Sequence, residues 1–176
     1  MRFVTPLIVI CLGTLWAEDR SVPRIDGGAQ KMMSKDSEFA IKAALGGMAE
    51  VQLGQLAAQK AANPDVKAFG QQMAVEHGKA NDQLKAVATQ ERMTLPAMLD
   101  AGQAAALSTL QRLSGAAFDK AYVKNMLKEH SEDVKEFQKE SKTGKDDQLK
   151  SFASQMLPVI RGNLEKIKSI DLKLRS

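Results

Sequence analysis

The sequence predicts an all-α protein built as one four-helix bundle, and three observations carry that prediction. Beyond residue 35 the chain is dominated by Ala, Leu, Met, Lys, Gln and Glu, the residues that lose least on entering a helix. Aromatic residues make up only 5% of the chain, and no alternating run of β-branched and aromatic residues is long enough for a strand. Apolar residues instead recur at three- and four-residue steps through four segments of about 25 residues, each about 38 Å long at 1.5 Å per residue. The 176 residues suffice for a single domain with a real core, expected over residues 36–173.

The N-terminus reads as an address. Arg2 supplies a short positive region, Phe3 to Trp16 is almost wholly apolar, and Ala17 precedes the charged Glu18-Asp19-Arg20. The run is shorter than the roughly 20 residues that span a bilayer, so residues 1–17 are expected to be a cleaved secretory signal, with an uncleaved anchor as the alternative. The mature chain is then expected to be periplasmic or secreted, without a stable membrane span. Cys11, the only cysteine, lies inside this run, so cleavage leaves no thiol and no disulfide. Ile10 stands where an acylated cysteine needs a small residue before it. Residues 18–35 hold Pro23, Gly27 and Gly28 without periodicity and read as a flexible leader. The net charge is +4, but lysines alternate with acids along every helix. A nucleic-acid partner needs basic residues gathered on one face, and none is expected.

The first helix is expected over 36–62, with Phe39, Ala43, Gly46/Gly47, Leu53 and Ala57 on one face. Asn63-Pro64-Asp65 ends it and caps the second, which runs to about Arg92 with Val66, Phe69, Met73, Ala80, Leu84 and Val87 on its stripe. Met93 to Pro96 break the pattern, and a short helix carries Leu99, Leu107, Leu110 and Leu113. Ser114-Gly115 opens the third long helix, striped by Phe118, Tyr122, Met126, Val134 and Phe137. After Thr143-Gly144 the fourth runs from about Asp146 to Leu172, with Leu149, Phe152, Met156, Ile160, Leu164 and Ile167 inward. Tight first and last connections make two antiparallel hairpins, and the long middle link allows a crossover. That is the ferritin-like arrangement.

The chain also echoes itself. Phe69-x3-Met73-x2-Glu76-His77 and Tyr122-x3-Met126-x2-Glu129-His130 share one pattern, and Phe39 precedes Glu50 by the same interval as Phe118 precedes Glu129. These echoes fit a duplicated hairpin. They also mark where polar residues interrupt the core. Glu50 sits where the first stripe demands an apolar residue, and His77 and His130, the only histidines, each follow a glutamate at the core edge. Bundle-core metal centres are built from such residues. Glu50, Glu76, His77, Glu129 and His130, with Asp133 and Asn163 as accessories, are therefore candidate ligands for iron, manganese or zinc. Adjacent Glu and His lie about 100° apart around a helix, so one of each pair must lean away from the centre. A neutral amide at Asn163 is a poor ligand. The competing expectation is a metal-free network in which Glu50 pairs with the two histidines and sets helix register.

Other features have simpler explanations. The methionines fall mainly on apolar stripes and read as core filling. Gly46-Gly47 is expected to mark a close helix approach, and Pro158 to kink the last helix, because it cannot donate to Ser154. No Ser-His-Asp, Cys-His, phosphate-loop or Cys-x2-Cys pattern points to catalysis.

Gly47-Met48-Ala49-Glu50-Val51-x-Leu53-Gly54, Met73-Ala74-Val75-Glu76-His77-x-Lys79-Ala80-Asn81 and Leu113-Ser114-Gly115-x2-Phe118-Asp119-x-Ala121-Tyr122 resemble a bacterial family catalogued as domain of unknown function 4142. Met126-x2-Glu129-His130-x2-Asp133-Val134 and Leu157-Pro158 fit the same pattern, and the likeness covers roughly residues 36–170. The resemblance implies a ferritin-like bundle, an exported bacterial protein and no established activity. It also implies an acid-then-His pair on helices two and three, matching His77 and His130, and commonly a His where this chain has Asn163. The functional expectation is a non-enzymatic bundle with a structural or partner-binding role in the cell envelope. The alternative is a metal-binding or metal-oxidising carboxylate/histidine protein.

Overall fold

The structure, a computed structural model, describes residues 34–175; the expected signal (1–17) and nearly all of the leader (18–35) lie outside the described residues. Five helices account for most of it: α1 Lys35–Lys60, α2 Pro64–Gln90, α3 Ala101–Gln111, α4 Gly115–Thr143 and α5 Asp147–Arg175. Their starts are set by side chains that satisfy first-turn amides. Ser34 accepts from Ser37 N, Asn63 from Asp65 N and Val66 N, Asp100 from Gln103 N, and Asp146 from Leu149 N. The Asp100 cap shortens the expected extra helix, leaving Leu99 and Leu113 just outside α3 but still packed on the core. α5 continues through Pro158 to Arg175. Among the described residues no helix is long and apolar enough to cross a membrane.

α1 pairs with α2 and α4 with α5; α1 also meets α4, and α2 meets α5. Lys60, at the end of α1, donates to the carbonyls of Gln111 and Leu113 just before α4. α4 therefore starts at the end of the molecule opposite the end of α2, and the 91–114 link runs the length of the bundle, with α3 against α1.

Each hairpin turn is held by an aspartate from the other hairpin. Asp119 of α4, buried, accepts from Ala62 N at 3.1 Å and Asn63 N at 2.8 Å. Asp36 of α1 accepts from Lys145 N at 3.2 Å and Asp146 N at 2.9 Å. Bonds to a charged acceptor are the stronger kind, so Asp119→Ala is expected to cost about 2 kcal/mol in urea unfolding. A loss below about 0.5 kcal/mol would show that the turn holds itself.

The α1–α2 contact is closest at Gly54 and Gly70, where a Cβ on Gly54 would lie 2.5 Å from the Gly70 carbonyl oxygen. The expectation at Gly46-Gly47 holds for one of the two. A Cβ on Gly46 meets nothing, whereas one on Gly47 would collide with Asn81 Oδ1 of α2, a side chain rather than the backbone met at Gly54 and Gly70.

The apolar core falls into two clusters. One gathers Leu53, Ala57, Val66, Phe69, Met73, Phe118, Tyr122, Met126 and Ile167; the other gathers Phe39, Ala44, Leu84, Phe137, Leu149, Phe152 and Ile160. Buried Glu50, His77, His130 and Asn163 occupy intermediate positions on all four long helices, so a polar layer interrupts the core.

Near the α4–α5 turn Glu140 is buried, and its Oε1 has no hydrogen-bond partner. Burial, helped by the carboxylates of Asp36 and Asp146, pushes its pKa up to about 7. The folded state thus holds a proton that the unfolded chain releases near 4.5, and stability falls as pH rises from that value through about 7. Glu140→Gln is expected to raise the melting temperature by a few degrees at pH 8 and hardly at all near pH 4. A gain that does not vary with pH would reject this account.

Candidate metal centre

Three helices each deliver one donor to the polar layer. Glu50 stands three residues before Leu53 on the inner face of α1, His77 one turn after Met73 on α2, and His130 one turn after Met126 on α4. The same helical steps that bury these apolar neighbours bury the polar residues. Glu50 is 2% exposed, His77 5% and His130 0%. One carboxylate oxygen and one ring nitrogen from each histidine lie within 4.8 Å of one another.

His77 Nδ1 is 2.8 Å from Glu50 Oε2, and His130 Nδ1 is 3.2 Å from Glu50 Oε1. Burial opposes charge on both partners of the first contact. For Glu50 the two imidazoles outweigh it and hold the carboxyl below its usual range. For His77 the Glu50 carboxylate outweighs it, raising the imidazole pKa, so Glu50 and His77 form a buried ion pair. His130 behaves oppositely: burial dominates the attraction of Glu50, His77 adds repulsion, and its pKa is lowered. Neutral His130 lies with Nδ1 3.2 Å from the Met126 carbonyl oxygen. Assigning the ring proton to Nδ1 makes that contact a hydrogen bond and leaves Nε2 a bare lone pair. Nε2 is buried without a partner, and Glu50 Oε1 has no hydrogen bond either. The two jointly buried orphans call for a cation or a donor. A ring N–H tied to a backbone carbonyl is also the usual support of a metal-ligating histidine.

The other candidates lie outside this trio. Glu76 leans toward α5, accepting from Gln72 Nε2 at 2.9 Å and Asn163 Nδ2 at 2.8 Å. Asn163 in turn accepts from Gln72 Nε2 at 3.0 Å, and Lys166 donates to Gln72 Oε1. Glu129 turns outward to Lys128 at 3.3 Å. The glutamates, not the histidines, are thus the members of each pair that lean away. Asp133, one turn beyond His130, is half-buried, and its pKa is raised by burial and then by the Glu50 charge, with His77 pulling it down. The Gln72–Lys166 extension was missed in the sequence, although Gln72 precedes Glu76 by four residues, a spacing that signals such a pair. The Met126 carbonyl, a main-chain atom, leaves no signal of its own.

One carboxylate and two imidazoles suit iron, zinc or manganese, with positions left over for water. The fit is to a single ion. A second would need Glu76 and Glu129, which are engaged elsewhere.

A family model described as "Domain of unknown function (DUF4142)" matches residues 23–170. No curated protein matches the chain. Among solved structures, a DUF305 fragment from Deinococcus radiodurans is similar at 11% identity and TM-score 0.70, over 80% of this chain and 97% of that one. A DUF305 protein from Streptomyces coelicolor, described as a candidate secreted protein, is similar at 13% identity and TM-score 0.68, over 81% and 94%. At these identities the likeness concerns the fold.

Proposed function

Since the chain belongs to the DUF4142 family, whose description carries no activity, we propose a function from the polar layer: an exported, non-enzymatic helical bundle that binds one divalent transition metal through Glu50, His77 and His130. Iron, zinc and manganese are the ions whose preferences match the donors. The observation that carries this reading is the convergence of three donors from three helices within 4.8 Å, in a buried layer where His130 Nε2 has no hydrogen-bond partner. The long crossover between two hairpins supports a ferritin-like classification of the bundle, a fold that builds metal sites from inward side chains. Export rests on the signal-like segment 1–17 followed by the leader 18–35, and the bundle domain spans 36–173. Asp133 is the accessory carboxylate that interacts by charge with both Glu50 and His77; Asn163 belongs with Glu76.

The 2.8 Å Glu50–His77 ion pair favours a second reading, in which the layer stays metal-free, fixes helix register and leaves an envelope protein partner as the functional contact. Metal analysis of protein purified without chelators separates the two. The first reading expects about one equivalent of zinc, iron or manganese per chain, its loss in His130→Ala, and a melting temperature raised by added metal. Less than about a tenth of an equivalent, with stability indifferent to all three metals, would leave the second.

A further inference from the structure

A cleft of about 310 Å³ opens between α1, α4 and the start of α3. Five carboxylates line it: Asp100, Glu129, Glu132, Asp133 and Glu136. Two lysines temper this charge: Lys42 in the wall, 4.0 Å from Glu136, and Lys128 outside it, 3.3 Å from Glu129 and 3.7 Å from Glu132. Acids remain in excess. Gln103 Oε1, on another lining residue, is a buried acceptor without a partner.

The walls of the cleft adjoin the buried trio. Gly46 lies one helical turn before Glu50, and a Cβ there would meet nothing within 4 Å, so the wall is open at that point. Asp133 lies one turn after His130, and its carboxyl feels the charges of both Glu50 and His77. Glu129 immediately precedes His130. The cleft thus runs from exposed acids to residues one helical turn from two of the three donors, Gly46 before Glu50 and Asp133 after His130.

We infer that this acidic cleft is the passage by which a hydrated divalent transition-metal cation reaches the Glu50–His77–His130 centre from solvent. The inference rests on the metal-binding reading above. A concave surface of one sign raises the local concentration of the opposite ion and its rate of capture. The carboxylates on the way exchange for water on the cation stepwise, and Asp133 is the last of them before the imidazoles. Loading then involves no separation of the hairpins.

Stopped-flow mixing of the purified protein with Co²⁺, read by its visible absorbance, tests this. A Cβ at position 46 meets nothing within 4 Å, so Gly46→Leu starts its side chain in open space, places it in the wall of the cleft and improves helix propensity. It is expected to slow uptake by about tenfold or more while leaving final absorbance and stoichiometry unchanged. Glu129→Gln combined with Glu132→Gln is expected to slow uptake about threefold and to flatten its ionic-strength dependence, by loss of steering. Uptake by both variants within about twofold of the parent, with full stoichiometry, would overturn the passage and leave the centre intact. If the parent takes up no Co²⁺, and no zinc, iron or manganese either, the centre and its passage fall together. Circular dichroism of each variant confirms that the rates refer to folded protein.

Discussion

Glu50→Ala is expected to destabilise the domain by about 3–5 kcal/mol, the usual cost of removing one partner of a buried ion pair. The carboxylate is 2% exposed and serves two imidazoles at once. Its removal strands His77 as a buried cation or forces it to lose its proton, and takes away one of the three proposed metal donors. Glu50→Gln keeps the volume and an acceptor, so it is expected to cost less in stability and, on the proposed metal-binding reading, to lose the metal. Replacing the whole trio by apolar residues of similar size is expected to recover most of the stability lost in Glu50→Ala, because the desolvation of charge disappears with the charge. Urea unfolding without metal measures all three, and a Glu50→Ala loss under about 1 kcal/mol would mean that water reaches the layer.

The pair also has a pH window. The depressed Glu50 contributes stability above the ordinary carboxylate value of 4.5 and loses it as pH falls through the folded-state value. The raised His77 contributes below 6.5 and loses it as pH rises through its folded-state value. His130, with a lowered pKa, works against folding as pH falls below 6.5, because only the unfolded chain takes up that proton.

Gly70→Val is expected to cost about 3 kcal/mol or more, at the upper end for overpacking. A Cβ on Gly70 would lie 2.5 Å from Ala57 Cβ and 2.8 Å from the Gly54 carbonyl oxygen, and neither can move without parting α1 from α2. Gly78→Ala is the control. It meets nothing within 4 Å and is expected to stabilise by about 1 kcal/mol through helix propensity. Thermal unfolding of the two variants should move in opposite directions; a well-tolerated Gly70→Val would mean that α1 and α2 part easily at this contact.

Helix number, length and inward faces could be read from residues 36–173 because period, caps and turn residues agree at each boundary. Asn63 and Asp146 cap where local chemistry demands, and Phe69, Met73 and Met126 are buried where the stripe puts them. The crossover could also be expected, since a long link follows a tight hairpin. The site was legible as a set of interruptions: Glu50, His77 and His130 occupy positions that the apolar period reserves for the core.

Which member of each Glu-His pair turns inward could not be decided from spacing. Glu76 and His77 differ by about 100° around one helix, and the choice depends on what stands opposite. α5 offers Asn163, which takes Glu76 at 2.8 Å, and α1 offers Glu50, which takes His77 at 2.8 Å. Which glycines meet the facing backbone could not be decided for the same reason. Gly46, Gly47, Gly54 and Gly70 are equivalent as sequence, and only the line along which α1 meets α2 sets Gly54 and Gly70 against backbone, Gly47 against the Asn81 side chain and Gly46 against nothing. The sequence by itself determined an all-α chain with polar breaks in its stripes, because period and capping are local properties. The tertiary structure alone decided which breaks converge into one buried trio and which acids open onto the cleft beside it, because partners across helices are set by packing and not by position in the chain.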